Sequence, residues 1–144
     1  MTENVRPPID DGTVLITGAS AGIGREFAVQ LTPRARMLIL LARRAGRLDE
    51  LRTSLLARRP QLQVITLPVD LADEKDVDRV LTEAGEQAGT VDVLINNAGI
   101  GQQALADQAD WARVRNVLCT NVLAVAHLTT ALVPAMVKRG RGEC

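Results

Sequence analysis

The chain has 144 residues, enough for one domain with a buried core. Apolar residues make up 47% and charged residues 24%, and 17 basic side chains balance 17 acidic ones. That balance excludes composition-driven disorder and gives no electrostatic reason to expect nucleic acid or an anionic membrane as a partner.

The start, Met1 to Asp11, is polar, carries Pro7-Pro8 and lacks the apolar stretch of a signal peptide. Thr13 to Thr17 is a short β-branched run bounded by Gly12 and Gly18, which predicts a buried strand. A helix is expected from Gly22 to Leu31, then a second strand over Arg36 to Leu41 and a second helix over Ala45 to Arg58, stopped before Pro60. A third strand is expected over Leu62 to Leu67. A third helix runs from Asp73, placed as its N-cap, to about Gln87, and a fourth strand covers Val91 to Ile95. Beyond a Gly- and Gln-containing loop, the pattern predicts one long helix from Asp107 to Val137. Its apolar stripe is Trp111, Val114, Leu118, Val125, Leu132 and Met136, and Pro134 is expected to bend or fray its last turn.

Strands joined by helices of this length imply an α/β domain with a doubly wound parallel sheet, order 3-2-1-4, whose ligand crevice lies at the carboxyl ends of the strands. With one Phe, one Trp and no Tyr, its core must rest on Val, Leu, Ile and Ala. Cys119 and Cys144 have no metal-ligand spacing, no metal site is expected, and a reduced cytoplasmic setting is the simplest expectation. No uninterrupted apolar run approaches the ~18 residues that would span a bilayer.

Chemistry centres on the turn after the first strand, Thr17-Gly18-Ala19-Ser20-Ala21-Gly22-Ile23-Gly24. Gly18 reverses the chain where a positive φ is called for. Gly22 and Gly24 let backbone N–H groups approach a pyrophosphate and let the next helix pack close to the sheet, and Ser20 adds a hydroxyl. The spacing T-G-x-x-x-G-x-G is similar to that of the short-chain dehydrogenases/reductases. Three more segments resemble that family in order and spacing: Asn96-Asn97-Ala98-Gly99 after strand four, Asp70-Leu71 after strand three, and Asn121 in the long helix. The resemblance implies a Rossmann fold and an oxidoreductase that moves hydride between a nicotinamide and a carbonyl or alcohol carbon.

It further implies that Thr17, Gly18, Ser20, Ala21, Gly22, Ile23 and Gly24 bind cofactor. The Asp70 carboxylate, with Leu71 beside it, would accept from the adenine amino group, Asn97, Ala98 and Gly99 would lie along the ribose, and Asn121 would distort the long helix and hold a proton-relay water. Stepping along the stripe puts Asn121 on the buried face, where an unpaired amide costs about 1–3 kcal/mol and so demands partners. An NAD site wants an acid about 20 residues beyond the glycine turn. Ala42-Arg43-Arg44 stands there instead, and two cations at a helix start oppose its dipole, so Arg43 and Arg44 point to the 2′-phosphate of NADP(H) in preference to NAD(H). His127, without a Ser or Asp partner at useful spacing, and Cys119 read as structural; Lys75 and Lys138 read as solvated.

The family's catalytic serine and Y-x-x-x-K pair have no counterpart here, since the chain contains no tyrosine. Residues 1–144 therefore read as a single, incomplete NADP(H)-binding domain that stops before strand five, with Arg139 to Glu143 as the turn leading there. Strand four would be a bare edge, Val122, Leu123 and Leu128 would be exposed, and self-association would follow. A small carbonyl or alcohol substrate would need the missing half, and only Gly101, Gln102 and Gln103 would face it. A non-catalytic dinucleotide-binding module and a vestigial product remain open as alternatives.

Overall fold

The apolar runs form four strands: β1 (Thr13–Thr17), β2 (Met37–Ala42), β3 (Gln63–Pro68) and β4 (Val93–Ile95). Between them lie α1 (Gly22–Leu31), α2 (Ala45–Arg58) and α3 (Glu74–Ala88); after β4 come α4 (Trp111–Leu118), a π-helical turn (Cys119–Leu123) and α5 (Ala124–Arg139). The computed structural model describes residues 6–101, 108 and 110–144. The sheet order is β3-β2-β1-β4, all parallel, with Val14 paired to Leu38 on one side and Val93 on the other. This is the doubly wound arrangement that the alternation of strand and helix predicts.

Strand alternation divides the core into two layers. Val14 and Ile16 of β1 and Leu38 and Leu40 of β2 face α1 and α2, joining Ala28, Leu48, Leu51 and Leu55. Leu15, Ile39 and Leu41 face the other way, against Val77 and Val80 of α3 and Ala124, Leu128 and Met136 of α5. Aliphatic side chains thus fill both layers without aromatic help.

The run after β4 departs from its expected form. It starts at Trp111, because the Asp110 carboxylate accepts from the Ala112 N–H at 3.1 Å and caps α4. A π turn at Cys119–Leu123 then interrupts it. One inserted residue rotates everything after it by about 100°, so a stripe stepped at uniform spacing across it loses phase. Trp111 and Leu118 are therefore exposed, and the residues that pack on the sheet are Ala124, Leu128 and Met136, with the partly buried Leu132 completing steps of four. Leu128, expected at the surface, is 1% exposed, whereas Val122 and Leu123 lie open as anticipated. Pro134 does not end the helix, which continues to Arg139 and stops at the left-handed Gly140. Trp111–Arg139, 29 residues of helix with the π turn included, is long and apolar enough by composition to cross a bilayer, although it holds no uninterrupted apolar run of that length. In the structure its inner face packs on the sheet.

The expected bare edge of β4 is also amended. After Gly140 the chain turns back: the Glu143 N–H donates to the Asp92 carbonyl at 3.0 Å, and the Leu94 N–H donates to the Glu143 carbonyl at 2.9 Å. Glu143 is thus already a parallel bridge partner of Val93, not part of a turn.

Candidate functional site

A cleft of about 200 Å³ opens at the carboxyl ends of the strands, where the helices that follow the neighbouring strands β1 and β4 lie on opposite faces of the sheet. Each strand delivers a residue to it: Gly18 follows β1, Ala42 ends β2, Val69 and Asp70 follow β3, and Ala98 follows β4.

The turn after β1 owes its shape to three glycines with different duties. Gly18 has φ +68°, and a Cβ there would lie 2.9 Å from the Ala98 Cα. Gly22 has φ +55° and open space around it. Gly24 is the packing glycine: a Cβ would collide with the Asn97 amide and the Gly18 carbonyl. So Gly24 brings α1 against the sheet, while Gly22 keeps the mouth of the turn clear. Ser20 lines the cleft, Ala21 is exposed, and Ile23 is 71% exposed beside it.

Thr17 ties this turn to the end of β4. Its Oγ1 accepts from the N–H groups of Asn97 (3.0 Å) and Ala98 (2.9 Å). The Asn97 Nδ2 returns the contact by donating to the Thr17 carbonyl at 3.0 Å. The Asn97 side chain therefore braces β1 against β4, leaving the Ala98 and Gly99 backbone to line the cleft. Asn96 turns away and donates to Thr129 Oγ1 at 3.2 Å.

Asn121 sits in the π turn and is exposed, which corrects its expected place on the buried face. Its demand for partners is nevertheless met. Nδ2 donates to the Ile100 carbonyl at 2.8 Å, and the Ile100 N–H donates to Oδ1 at 2.9 Å. The amide thus imitates a strand neighbour and fixes the chain leaving Gly99 against the widened helix. Ile100 and Thr120 complete the cleft wall, and neither stands out in the sequence. They are found only through the contacts of Asn121 and the π turn.

Asp70 lines the cleft, and the buried Leu71 follows it. Asp73 caps α3 as expected, accepting from the Lys75 N–H at 3.0 Å. Asp76 was not anticipated: its Oδ2 accepts from the Asp70 N–H at 2.7 Å and its Oδ1 from Arg79 Nε at 2.8 Å. The Asp70 amide chiefly holds the Asp76 carboxyl below the usual carboxylate range; burial opposes this and Arg79 reinforces it. A lowered carboxyl pKa means that this contribution to stability is present above the ordinary aspartate range and is lost as pH falls through the lowered value.

The helix starts divide into two kinds. Asp73 caps α3 and Asp110 caps α4, but no side chain caps α1 or α2, and neither of these has an acid in its first turn. Arg44 occupies the N-cap position of α2. Both Arg43 and Arg44 line the cleft, and neither pairs with a carboxylate among the described residues. Two helix N-termini and two unpaired guanidinium groups thus give the cleft a positive potential.

Elsewhere, His127 does have an acidic partner, since its Nε2 lies 3.1 Å from Asp78 Oδ1 on α3, a neighbour invisible to spacing along one helix. Cys119 is buried and Cys144 exposed, both as free thiols. Gly101 is exposed, whereas Gln102 and Gln103 lie outside the described residues. No cluster able to hold a metal occurs among the described residues.

Comparison with known proteins agrees with this geometry. The family model for short chain dehydrogenase matches residues 12–144. An uncharacterized oxidoreductase of Myxococcus xanthus is 36% identical over 91% of this chain and 51% of its own length. The NADP-dependent 3-hydroxy acid dehydrogenase of Schizosaccharomyces pombe is 33% identical over 94% of this chain and 52% of its own. Among solved structures, L-sorbose reductase from Gluconobacter frateurii, complexed with NADPH and L-sorbose, superposes with a TM-score of 0.85 at 32% identity, covering 92% of this chain and 50% of that one. The chain spans about half the length of the curated relatives it matches. A match that runs from just before β1 to the last residue, on a sheet of the same order, leaves one assignment: the chain belongs to the short-chain dehydrogenase family.

Proposed function

We propose that this chain is the cofactor-binding part of an NADP(H)-dependent oxidoreductase acting on a small carbonyl or alcohol. The observation that carries the reading is the pairing of uncapped starts of α1 and α2 with the unpaired Arg43 and Arg44. A dinucleotide phosphate fits this donor set. The N–H groups of the glycine turn suit the pyrophosphate, with Gly22 leaving room for it, and the guanidinium forks suit a 2′-phosphate. When bound, the nicotinamide supplies or accepts hydride. The chain's own residues do the holding: Asp70 and Leu71 toward the adenine, Ala98 and Gly99 along the ribose, and Asn121 keeping Ile100 and its neighbours in place.

In the family a tyrosine passes the proton to the substrate oxygen, and this chain, about half the length of its relatives, contains none. The proposal therefore includes a further segment that brings this acid together with the substrate pocket. A second reading is a dinucleotide-binding module without catalysis. Sequencing the coding DNA beyond codon 144 separates the two: a serine followed by Y-x-x-x-K supports the enzyme, and their absence supports the module. A cytoplasmic setting belongs to the proposal, supported by the two free thiols.

The cofactor reading is tested by titrating the 144-residue chain with NADPH and NADH. NADPH should bind tighter. The double substitution Arg43→Ala/Arg44→Ala should weaken NADPH binding by roughly 10- to 100-fold, the worth of hydrogen bonds to a charged group, and leave NADH unchanged. Equal affinities for the two cofactors in the wild type would sink the NADP(H) preference.

A further inference from the structure

The family match leaves open what fixes Asp70, and its surroundings supply an answer. Three of its polar groups are already engaged within the protein. Its N–H donates to Asp76 Oδ2 at 2.7 Å, its carbonyl accepts from the Asp73 N–H at 3.0 Å, and its Oδ1 accepts from the Ala72 N–H at 3.0 Å. Only Oδ2 has no partner among the described residues, on a residue that lines the cleft. The carboxylate therefore cannot swing freely, because rotation about χ2 gives up the bond to Ala72.

Asp76 is held in turn. Arg79 donates from Nε and Nη2 to Asp76 Oδ1, from Nη1 to Glu83 at 2.8 Å, and from Nη2 to the Pro68 carbonyl at 2.6 Å. The Asp76–Arg79 pair thus grips the crossing from β3 to α3 on both sides of Val69, at the carbonyl before it and the amide after it. An acid in the first turn of a helix is ordinarily explained by the helix dipole. Asp76 does more than that, since its Oδ2 binds an amide outside α3.

The family resemblance already implies that the Asp70 carboxylate accepts from the adenine amino group; we propose that Asp76 and Arg79 are the positioning residues that fix Asp70 Oδ2 for that contact, so that discrimination of adenine from hypoxanthine depends on them. The inference rests on the dinucleotide reading above and adds to it the source of base selectivity. A purine with an amino group at carbon 6 donates to Oδ2. The deaminated base presents a carbonyl oxygen there and meets a fixed carboxylate lone pair instead.

The test compares affinities of the 144-residue chain for NADPH and for its deamino analogue, nicotinamide hypoxanthine dinucleotide phosphate. The wild type should favour NADPH about tenfold, the lower range for a hydrogen bond to a charged acceptor. Asp76→Ala should bring the ratio within about twofold, while Asp76→Asn, which keeps an acceptor for the Asp70 amide, should retain most of it. Arg79→Ala releases the same grip from a more exposed position and serves if Asp76→Ala does not fold. General destabilisation lowers both affinities together, so weaker binding at an unchanged ratio overturns the proposal, as does an unchanged ratio at unchanged affinity. A wild type that binds NADPH without discriminating overturns this inference alone. One that binds neither dinucleotide overturns the cofactor reading as well.

Discussion

Gly22 and Gly24 stand two positions apart in one turn yet answer to different constraints. At Gly24 an added methyl meets the Asn97 amide and the Gly18 carbonyl, so Gly24→Ala has to push α1 off the sheet. At Gly22 the methyl meets open space, and the cost is that of a positive φ of 55° in an L-residue. Gly24→Ala should therefore destabilise the chain by about 1–3 kcal/mol. Gly22→Ala should cost about 1–2 kcal/mol from backbone strain, while narrowing the cleft mouth and weakening dinucleotide binding. Urea denaturation with and without NADPH checks the pair, and a cofactor effect confined to Gly24→Ala would contradict this division. At this scale much was legible in the sequence. The glycine spacing, Asp70 and Asn97 announced the crevice, because backbone turns and strand ends depend on local chemistry. The roles of Asn97 as a brace and of Asp76 as a grip on Asp70 were not legible, because their partners lie across the sheet or on another element.

At the level of elements, strands and helices through β4 follow the apolar pattern to within about two residues, the usual uncertainty of such boundaries. The helical run after β4 does not. The apolar pattern does not announce the π turn; the family resemblance does, through the distortion it implies at Asn121, and the turn lies there, tied to the bonding of Asn121 with Ile100 across the loop after β4. The stripe holds at Leu132 and Met136, which pack on the sheet, but Trp111 and Leu118 before the π turn are exposed, and Leu128, expected to be uncovered for want of a neighbouring element, is buried. The corrected face makes a sharp expectation. Leu128→Ala should cost about 2–5 kcal/mol, as for a fully buried leucine, whereas Leu123→Ala, at 61% exposure, should change stability by less than about 0.5 kcal/mol. Chemical denaturation of the two variants decides it, and equal losses would return the helix to its unbroken phase.

For the whole molecule, five of the seven large apolar side chains exposed among the described residues lie on one run, the other two being Ile23 and Phe27 of α1. Trp111, Leu118, Val122 and Leu123 are exposed along α4 and the π turn, and Val137 is 73% exposed near the end of α5. Glu143 covers part of the free side of β4. Self-association of the chain is expected from these surfaces, and sedimentation equilibrium should return a mass above the 15.5 kDa of one copy. A monomer that unfolds in a single sharp transition would count against it. The strand order and the place of the crevice were readable in advance, because handedness and chain alternation leave few topologies.

The uncapped starts of α1 and α2 carry one more consequence. Capping supplies about 1 kcal/mol to a helix start, and here the two helices on one face of the sheet go without it. An anion that settles between them does for both what Asp73 does for α3. A ligand that binds only the native chain adds about 2.7 kcal/mol when its concentration is 100 times its dissociation constant. Under the proposed cofactor reading, the folded fraction of this chain would follow the dinucleotide concentration around it, and with it the chain's abundance.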